Sequence, residues 1–261
     1  MKLDKIAKNI RRNIIKIAHL SKSPHVGSAL SCADILTVLY FSIMKISQPI
    51  SRERDYFILS KAHGAMALYA TLYEKGFISE QDLLQYYQNN GSLPAHTDRF
   101  TNDFIEISAG SLGHGLPIGV GMAYSVKLNN ESNKVFVLIG DGEMQEGSIW
   151  EAAMVAPKLN VNNLTVFIDH NNLQGYGRAT ELVEFYPLKE KWEAFGWDAV
   201  VIDGHNYTEM EKAILKESNK PKAIICKTVK GKGVSFMEDK LIWHYYIVTD
   251  EHKEKAYREL I

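Results

Sequence analysis

Five short apolar runs, separated by segments with helical periodicity, constrain most strongly how this chain can fold. Runs that are apolar throughout are typical of strands buried on both faces of a parallel sheet. Strands that alternate with helices favour an α/β fold with a doubly wound, mostly parallel sheet flanked by helices. The predicted strands are Tyr56–Leu59, Val135–Ile139, Leu164–Ile168, Ala199–Ile202 and Ala223–Lys227, and the predicted helices include Cys32–Met44, Leu116–Leu128, Ile149–Leu159 and Tyr207–Lys216.

The chain of 261 residues is long enough for one domain with a well-buried core. No linker, internal repeat or low-complexity segment divides the sequence, so we expect a single domain over residues 1–261. The basic segment Lys5–Leu20 could be taken for a targeting sequence. Its isoleucines at positions 6, 10, 14 and 17 follow helical spacing, and we interpret it as a first helix that faces the core.

The charge balance and the two cysteines exclude several classes of function. Lys and Arg number 30 and Asp and Glu number 31, so the sequence predicts no basic surface for nucleic acid or an anionic membrane. No segment approaches the roughly 20 apolar residues of a membrane span. Cys32 and Cys226 lie in apolar stretches and are expected to be buried thiols. We therefore expect a cytoplasmic protein without nucleic-acid or membrane partners.

Polar residues follow two of the predicted strands at the point where each strand ends. Gly140-Asp141-Gly142 follows the second strand, and Asp169-His170-Asn171-Asn172 follows the third. The stretch between these clusters has the length of a turn, a helix and a return strand, so both should lie at the same edge of the sheet. In doubly wound sheets, ligands bind at the carboxyl ends of the strands.

The residue types at this edge suit magnesium and a diphosphate. Mg²⁺ prefers about six oxygen ligands, of which a few come from the protein and the rest from phosphates and water. Asp141 can supply a carboxylate, Asn171 an amide oxygen and Leu173 its carbonyl. Gly142 has no Cβ, so its N–H can approach a phosphate closely. A lone Gly-Asp-Gly usually marks a turn, but the two motifs at this spacing are more specific.

The segment 140–172 resembles the thiamine diphosphate signature shared by transketolases, acetohydroxyacid-synthase-type enzymes and 2-oxo acid dehydrogenases. Residues 143–147, followed by Trp150-Glu151-Ala152, are similar to the transketolase version. The resemblance implies thiamine diphosphate and Mg²⁺ as cofactors, with Ca²⁺ or Mn²⁺ as substitutes. It implies that Asp141, Asn171 and the Leu173 carbonyl bind the metal ion, and that Gly142 and Asn171 contact the cofactor. It also implies that Glu146 contacts the cofactor and belongs to a catalytic network of carboxylates at the subunit interface.

Five of the nine histidines lie in segments that contain Gly, Ser or Pro, and together they match the transketolase N-terminal pattern. A single histidine is more often an ordinary hydrogen-bonded residue than a catalytic one. The resemblance implies that His63 binds the diphosphate, that His25, His96 and His244 line the catalytic channel and contact sugar hydroxyls or move protons, and that His244 also reaches a phosphate. The remaining histidines, apart from His114, are expected to have ordinary roles: His19, His170, His205 and His252.

The segment Ser108–Gly115 precedes an apolar helix and contains three of the chain's glycines. It resembles the transketolase loop that contacts the cofactor. The resemblance implies contacts from Gly110 and Leu112, and we expect His114, in the same segment, to bind the cofactor as well.

The resemblance also implies a partner. In full-length transketolases this domain is followed by a pyrimidine-binding domain that provides the activating glutamate, and here the final helix near Asp250–Leu260 ends the sequence. We therefore expect a split transketolase in which a separate C-terminal subunit completes an α2β2 assembly. The implied reaction is transfer of a two-carbon ketol unit between sugars or sugar phosphates, and cofactor binding should be weak without the partner.

Three short segments near the implied substrate channel depart from the family pattern. Pro24 and Val26 replace the usual Gly and Pro beside His25, Thr97 follows His96 where Pro is common, and Tyr245-Tyr246 follows His244 where Gly is usual. These changes favour a specialised sugar, as in capsule or secondary metabolism, as an alternative to the standard pentose phosphates.

Two further interpretations of the sequence stay open. The α subunit of a 2-oxo acid dehydrogenase shares the Gly-Asp-Gly motif and the split-subunit plan, although the histidine set argues against it. A non-catalytic scaffold with the same fold is a remoter alternative. A dinucleotide-binding dehydrogenase is disfavoured, because no Gly-x-Gly-x-x-Gly follows an early strand.

Overall fold

The apolar runs form one five-stranded parallel sheet, as predicted. A computed structural model describes residues 3–46, 51 and 53–261 of the chain. The strand order is β1-β2-β3-β5-β4, and all neighbouring pairs are parallel. Each predicted strand is confirmed, with ends that differ by at most two residues. The strands are β1 (Tyr56–Leu59), β2 (Val135–Gly140), β3 (Leu164–His170), β4 (Asp198–Asp203) and β5 (Lys222–Lys227).

Helices connect the strands and cover both faces of the sheet. The predicted helix Cys32–Met44 is present as a short α-helix followed by a π-helical turn at Leu39–Ile43, and the other predicted helices are confirmed with small changes at their ends. The helices are α1 (Leu3–Ser21), α2 (Val26–Ser31), α3 (Ala33–Val38), α4 (Ala65–Glu74), α5 (Glu80–Leu84), α6 (Gly115–Leu128), α7 (Gly147–Lys158), α8 (Ala179–Leu182), α9 (Leu188–Ala194), α10 (Tyr207–Leu215) and α11 (Asp250–Glu259).

Alternate residues of each strand point into two separate hydrophobic cores. On one face, Phe136 and Phe167 pack with α1 to α4, α10 and α11. On the other face, Val137 and Val166 pack with α6, α7 and α9. The period of two along a strand explains this division, because successive side chains leave the sheet on opposite faces. The three layers of helix, sheet and helix match the predicted α/β class.

The first helix packs as its sequence predicts. The isoleucines of α1 at positions 6, 10, 14 and 17 are all buried in the first core. The guanidinium of Arg12 donates hydrogen bonds to the carbonyls of Tyr257 and Leu260, at 3.2 and 3.3 Å, so the two ends of the chain meet on this face. Within residues 3–46, 51 and 53–261, no helix has both the length and the apolar character that crossing a membrane requires.

Candidate active site

A cavity of about 410 Å³ lies at the carboxyl ends of β1, β2 and β3. It gathers segments from residues 25–28, 61–63, 96–112, 140–146, 171–176 and 244–245, which are far apart in the sequence. Of the residues predicted for the site, only His114 is not among those that line it. The lining includes His25, His63, His96, Gly110, Leu112, Asp141, Gly142, Glu146, Asn171, Leu173 and His244.

His114 lies at the N-terminus of α6, is exposed, and places Nδ1 3.2 Å from the Leu112 carbonyl oxygen. The structure therefore gives no geometric support for its predicted contact with the cofactor. Glu146 lies at the N-terminus of α7 and is also exposed, although it lines the cavity.

Asp141 has one carboxylate oxygen available for a ligand. Its Oδ1 accepts a hydrogen bond from the Gly142 N–H at 2.8 Å, whereas Oδ2 is buried and has no hydrogen-bond partner among the described residues. A buried carboxylate oxygen without a partner is costly, so this position suits a bound cation. The carboxylate is a hard oxygen donor of the kind that Mg²⁺ prefers.

The other two predicted metal ligands lie next to Asp141 in the cavity lining. Oδ1 of Asn171 accepts from the Leu173 N–H at 3.0 Å, and Nδ2 of Asn171 lies 3.3 Å from Ser31 Oγ. The carbonyl of Leu173 accepts a hydrogen bond from Lys230 Nζ at 3.0 Å. A carbonyl oxygen has two lone pairs, so this bond leaves one for a metal ion. The donor set fits a hard cation whose coordination is completed by phosphate oxygens.

Three histidines that line the same cavity pack against one another. The ring centroids of His25 and His244 are 4.9 Å apart, those of His25 and His63 are 5.4 Å apart, and those of His63 and His244 are 5.9 Å apart. His25 adopts a left-handed backbone conformation with φ of 73°, and its N–H donates to the carbonyl of His244 at 2.9 Å. A left-handed conformation is uncommon for a residue other than glycine and often marks a functional site.

Burial and nearby cations keep these imidazoles neutral. Burial is the largest cause that lowers the pKa of each, and the charges of Lys61 and Lys230 lower them further. The pKa of His25 falls to about 4, that of His244 to about 3, and that of His63 well below its ordinary value. A neutral imidazole has one donor and one acceptor nitrogen, so each of these rings can both donate to and accept from a substrate hydroxyl.

Two buried lysines beside the cavity were not singled out by the sequence analysis. Lys61 follows β1 and forms a hydrogen-bonded ion pair with Asp169, which is fully buried at the end of β3. Nζ of Lys230 donates to the Leu173 carbonyl and lies 2.9 Å from Nδ1 of His244. The signal for Lys61 was its place directly after a strand. Lys230 lies in a basic, glycine-containing segment, and such a segment is equally typical of a solvated loop.

Glu143 connects the segments that build the floor of the cavity. Its buried carboxylate accepts hydrogen bonds from Ser60 Oγ, from the Gly113 N–H at 2.9 Å and from the Gly140 N–H at 3.1 Å. Burial raises the pKa of Glu143, and these hydrogen bonds oppose the rise. The carboxylate thus fixes the ends of β1 and β2 and the loop before α6 relative to one another.

A doubly wound sheet that presents a carboxylate, an amide oxygen and buried lysines at its strand ends is the site of an α/β enzyme domain that binds a phosphorylated cofactor. Residues 3–255 match the family model described as "Transketolase, thiamine diphosphate binding domain". The chain belongs to this family, and the sequence-based identification of family, fold and thiamine diphosphate binding is confirmed.

Two curated relatives match nearly the whole chain, and each is named as one subunit of a transketolase. The relative from Phocaeicola vulgatus, of an apulose-4-phosphate transketolase, is 40% identical over 257 residues, which cover 96% of this chain and 90% of the relative. The relative from a Clostridium species, of a 6-deoxy-6-sulfo-D-fructose transketolase, is 42% identical over 241 residues, which cover 90% of this chain and 88% of the relative.

The structure is also similar to solved transketolases. The match to transketolase from Campylobacter jejuni has a TM-score of 0.94 at 30% sequence identity. It covers 100% of this chain but 43% of that chain, so this protein spans less than half the length of that transketolase.

Proposed function

We propose that this chain is the cofactor-binding subunit of a split transketolase that transfers a two-carbon ketol unit from a ketose to an aldose acceptor. The observation that carries the proposal is the close packing of His25, His63 and His244 in the same cavity as Asp141, whose Oδ2 has no hydrogen-bond partner among the described residues. Ketol transfer requires a hydroxyl to lose a proton as a C–C bond breaks and to regain it as the new bond forms. The imidazole nitrogens that line the cavity can donate to and accept from such hydroxyls.

In this proposal the metal ion is Mg²⁺. Asp141, Asn171 and the Leu173 carbonyl would hold it, Gly142 would offer its N–H to the diphosphate, and Lys61 would add positive charge beside it. The bound thiamine diphosphate supplies the electron sink that stabilises a carbanion. The chain's own residues exclude water, orient the cofactor and move protons. His25, His96 and His244 act on the sugar, and His63 contacts the diphosphate.

The proposed partner is a separate C-terminal subunit in an α2β2 assembly. A partner is supported by two of the similar curated relatives, which are named as transketolase subunits. Glu146 lies exposed at the cavity rim, as expected of a carboxylate that meets a partner. The family match over residues 3–255 supports residues 1–261 as one cofactor-binding domain. A cytoplasmic location stays a prediction.

The proposed substrate is a specialised ketose. Two of the similar relatives are named for apulose 4-phosphate and for 6-deoxy-6-sulfo-D-fructose. Tyr245, which stands where the family usually has Gly, lines the cavity and packs its hydroxyl against Gly175, where a Cβ would lie 2.4 Å from Tyr245 Oη. The Tyr245 side chain takes up space in the cavity lining, so it favours a substrate whose shape differs at this position.

The test combines purified chain and purified C-terminal subunit with thiamine diphosphate and Mg²⁺. Ketol transfer to ribose 5-phosphate is measured with xylulose 5-phosphate, apulose 4-phosphate or 6-deoxy-6-sulfo-D-fructose as donor. We expect activity only in the mixture, and a larger kcat/KM for one of the latter two donors. Activity of this chain alone would contradict the split enzyme, and decarboxylation of pyruvate by the mixture would favour a 2-oxo acid dehydrogenase instead.

Tyr245→Gly tests whether the Tyr245 side chain sets the preference for the donor sugar. We expect it to shift donor preference toward xylulose 5-phosphate with little change in cofactor affinity. Tyr246→Gly is the matched control, because Tyr246 is similarly exposed but does not line the cavity. Equal donor preference in both variants and the unmodified enzyme would remove Tyr245 from the specificity argument.

A further inference from the structure

Asp34 is a buried acceptor that gathers four donors beneath the site. The two terminal nitrogens of Arg11 lie 3.0 and 2.7 Å from its oxygens, the hydroxyl of Tyr207 lies 2.9 Å away, and Nδ1 of His205 lies 2.7 Å away. Burial alone would raise the pKa of Asp34, but the hydrogen bonds from His205 and Arg11 and the charge of Arg11 hold it well below its ordinary value. The carboxylate is therefore a fixed, charged anchor.

His205 joins this anchor to the backbone beside the active site. Its Nε2 lies 2.9 Å from the backbone nitrogen of Val229, whose N–H donates to it. A backbone N–H can only donate, so Nε2 must carry a lone pair. His205 is then a neutral imidazole with its proton on Nδ1, directed at Asp34. The ring spans the gap between a buried carboxylate and a backbone amide.

The residue after Val229 is Lys230, which is 1% exposed and reaches two groups of the cavity. Its Nζ lies 3.0 Å from the Leu173 carbonyl and 2.9 Å from Nδ1 of His244. An ammonium group has no acceptor, so this contact uses the lone pair of Nδ1 and places the proton of neutral His244 on Nε2. The position of Lys230 therefore affects both a predicted metal ligand and a predicted proton-transfer group.

Backbone bonds hold the segment on both sides of Val229. The N–H of Thr228 donates to the His170 carbonyl at 3.2 Å, and the N–H of Gly231 donates to the Gly27 carbonyl at 3.0 Å. The Val229 N–H is instead bound by a side chain. Without the Nε2 acceptor of His205, the N–H of Val229, directly before Lys230, would be unpaired. An unpaired amide costs stability, so the loop would favour a rearranged conformation.

We propose that His205 is a positioning residue for the active site: anchored by Asp34, it fixes the backbone at Val229 so that Lys230 meets both His244 and the Leu173 carbonyl. The catalytic consequence rests on the proposed function, whereas the positioning of His244 does not. His205 is not among the residues that line the cavity. From its sequence context it was expected to have an ordinary role, because nothing in Gly204-His205-Asn206 indicates a partner at Val229.

Two substitutions separate positioning from general support. The amide of Asn reaches the place of Nδ1 in His, so His205→Asn keeps the donor to Asp34 and leaves the Val229 N–H unpaired. The longer Gln reaches the place of Nε2, so His205→Gln keeps an acceptor for Val229. In the assembled enzyme we expect His205→Asn to lower kcat/KM and Mg²⁺-dependent affinity for thiamine diphosphate by about ten- to a hundredfold, the range for outer-shell partners. His205→Gln should recover most of both.

A readout without turnover separates this inference from the proposed function. Long-range ¹H–¹⁵N spectra of ¹⁵N-histidine in the full chain report the tautomer of each ring. We expect His205 as the Nδ1–H form and His244 as the Nε2–H form, with His244 changed in His205→Asn and unchanged in His205→Gln. If no sugar is turned over but these shifts and the cofactor affinities follow this pattern, the proposed function fails and the positioning role stands.

Other outcomes overturn the proposal. If His205→Asn behaves as the unmodified protein while His205→Gln is impaired, His205 serves only Asp34. Equal effects in the two variants, large or small, also contradict a specific role for the Val229 bond, as does an unchanged His244 tautomer in His205→Asn.

Discussion

Oδ2 of Asp141 and Nδ1 of His170 lie 3.6 Å apart, too far for a good hydrogen bond, and neither atom has a hydrogen-bond partner among the described residues. His170 is instead held by its other nitrogen, 2.9 Å from the hydroxyl of Tyr186. Burying polar atoms without partners costs stability, so a site that keeps them indicates a group that binds there.

The first prediction is that Asp141→Asn weakens Mg²⁺-dependent binding of thiamine diphosphate by at least about tenfold. An amide oxygen cannot supply the negative charge that a divalent cation favours. The unliganded chain should keep a similar stability, because Oδ2 has no hydrogen-bond partner to lose and the Asn oxygen can still accept from the Gly142 N–H. Titration calorimetry on the assembled enzyme and thermal unfolding of the chain measure the two effects. Asp103→Asn, at an exposed position, is the control and should change neither.

The second prediction concerns the ion pair of Lys61 and Asp169. Lys61→Met leaves the Asp169 carboxylate buried without its counter-charge and should lower the free energy of unfolding by about 3–5 kcal/mol. Urea denaturation of the full chain measures the loss. The surface pair of Lys189 and Glu193 offers a control, since Lys189→Met should have little effect on the free energy of unfolding. Similar losses at the two positions would contradict the importance of the buried pair.

The third prediction is a pH dependence from the same pair. Burial alone would raise the pKa of Asp169, but the charge and hydrogen bond of Lys61 lower it below its ordinary value. A carboxylate with a depressed folded-state pKa stabilises the fold above the unfolded pKa of about 3.9, and this stabilisation is lost as the pH falls further. The unfolding free energy should therefore fall less steeply below about pH 4 in Asp169→Asn than in the unmodified chain. Parallel curves would contradict the shift.

The fourth prediction tests Glu143. Glu143→Gln replaces one acceptor oxygen of the carboxylate by an NH₂ group, which cannot accept a hydrogen bond. At least one of the three donors that bind Glu143 is then left without its partner. We expect a loss of about 1–3 kcal/mol in unfolding free energy and a weaker cofactor affinity, because the loop through Gly113 loses its tether. Urea denaturation and cofactor titration are the measurements. Glu131→Gln, at an exposed position, should leave both unchanged.

The fifth prediction compares two glycines of α6. A Cβ at Gly119 would lie 2.5 Å from Cγ2 of Val137 on β2, whereas a Cβ at Gly121 would meet nothing within 4 Å. Gly119→Ala should destabilise the chain by about 1–3 kcal/mol through overpacking. Gly121→Ala should stabilise it by up to about 1 kcal/mol, because Ala favours the helix. Thermal unfolding separates the two, and the same sign for both would contradict the close packing of α6 on β2.

Sequence patterns predicted most of the fold because the core-forming residues are periodic. The isoleucines of α1 and the five apolar runs require burial at fixed spacing, and no long-range information is needed to recognise them. The π-helical turn at Leu39–Ile43 was missed, because its five residues have the same apolar character as the α-helix before them. Tertiary packing, and not local preference, decides such a change of helix type.

The candidate site was predicted in part. Asp141 and Asn171 each follow a strand. The carboxyl ends of parallel strands lie at the same edge of a sheet, so a position after such a strand already predicts where the residue lies. His114 shares the glycine-rich context of the cavity residues, yet it is exposed at the start of α6 and does not line the cavity, which the sequence pattern does not specify. Lys61, Lys230 and His205 act through partners far away in the sequence, such as Asp169 and Asp34, and only the folded chain brings these pairs together.

The bond between the backbone of His25 and that of His244 has a consequence for how the protein is made. His244 is translated 219 residues after His25 (244 − 25 = 219). A nascent chain therefore cannot form this bond, or the part of the cavity that both histidines line, until His244 has left the ribosome.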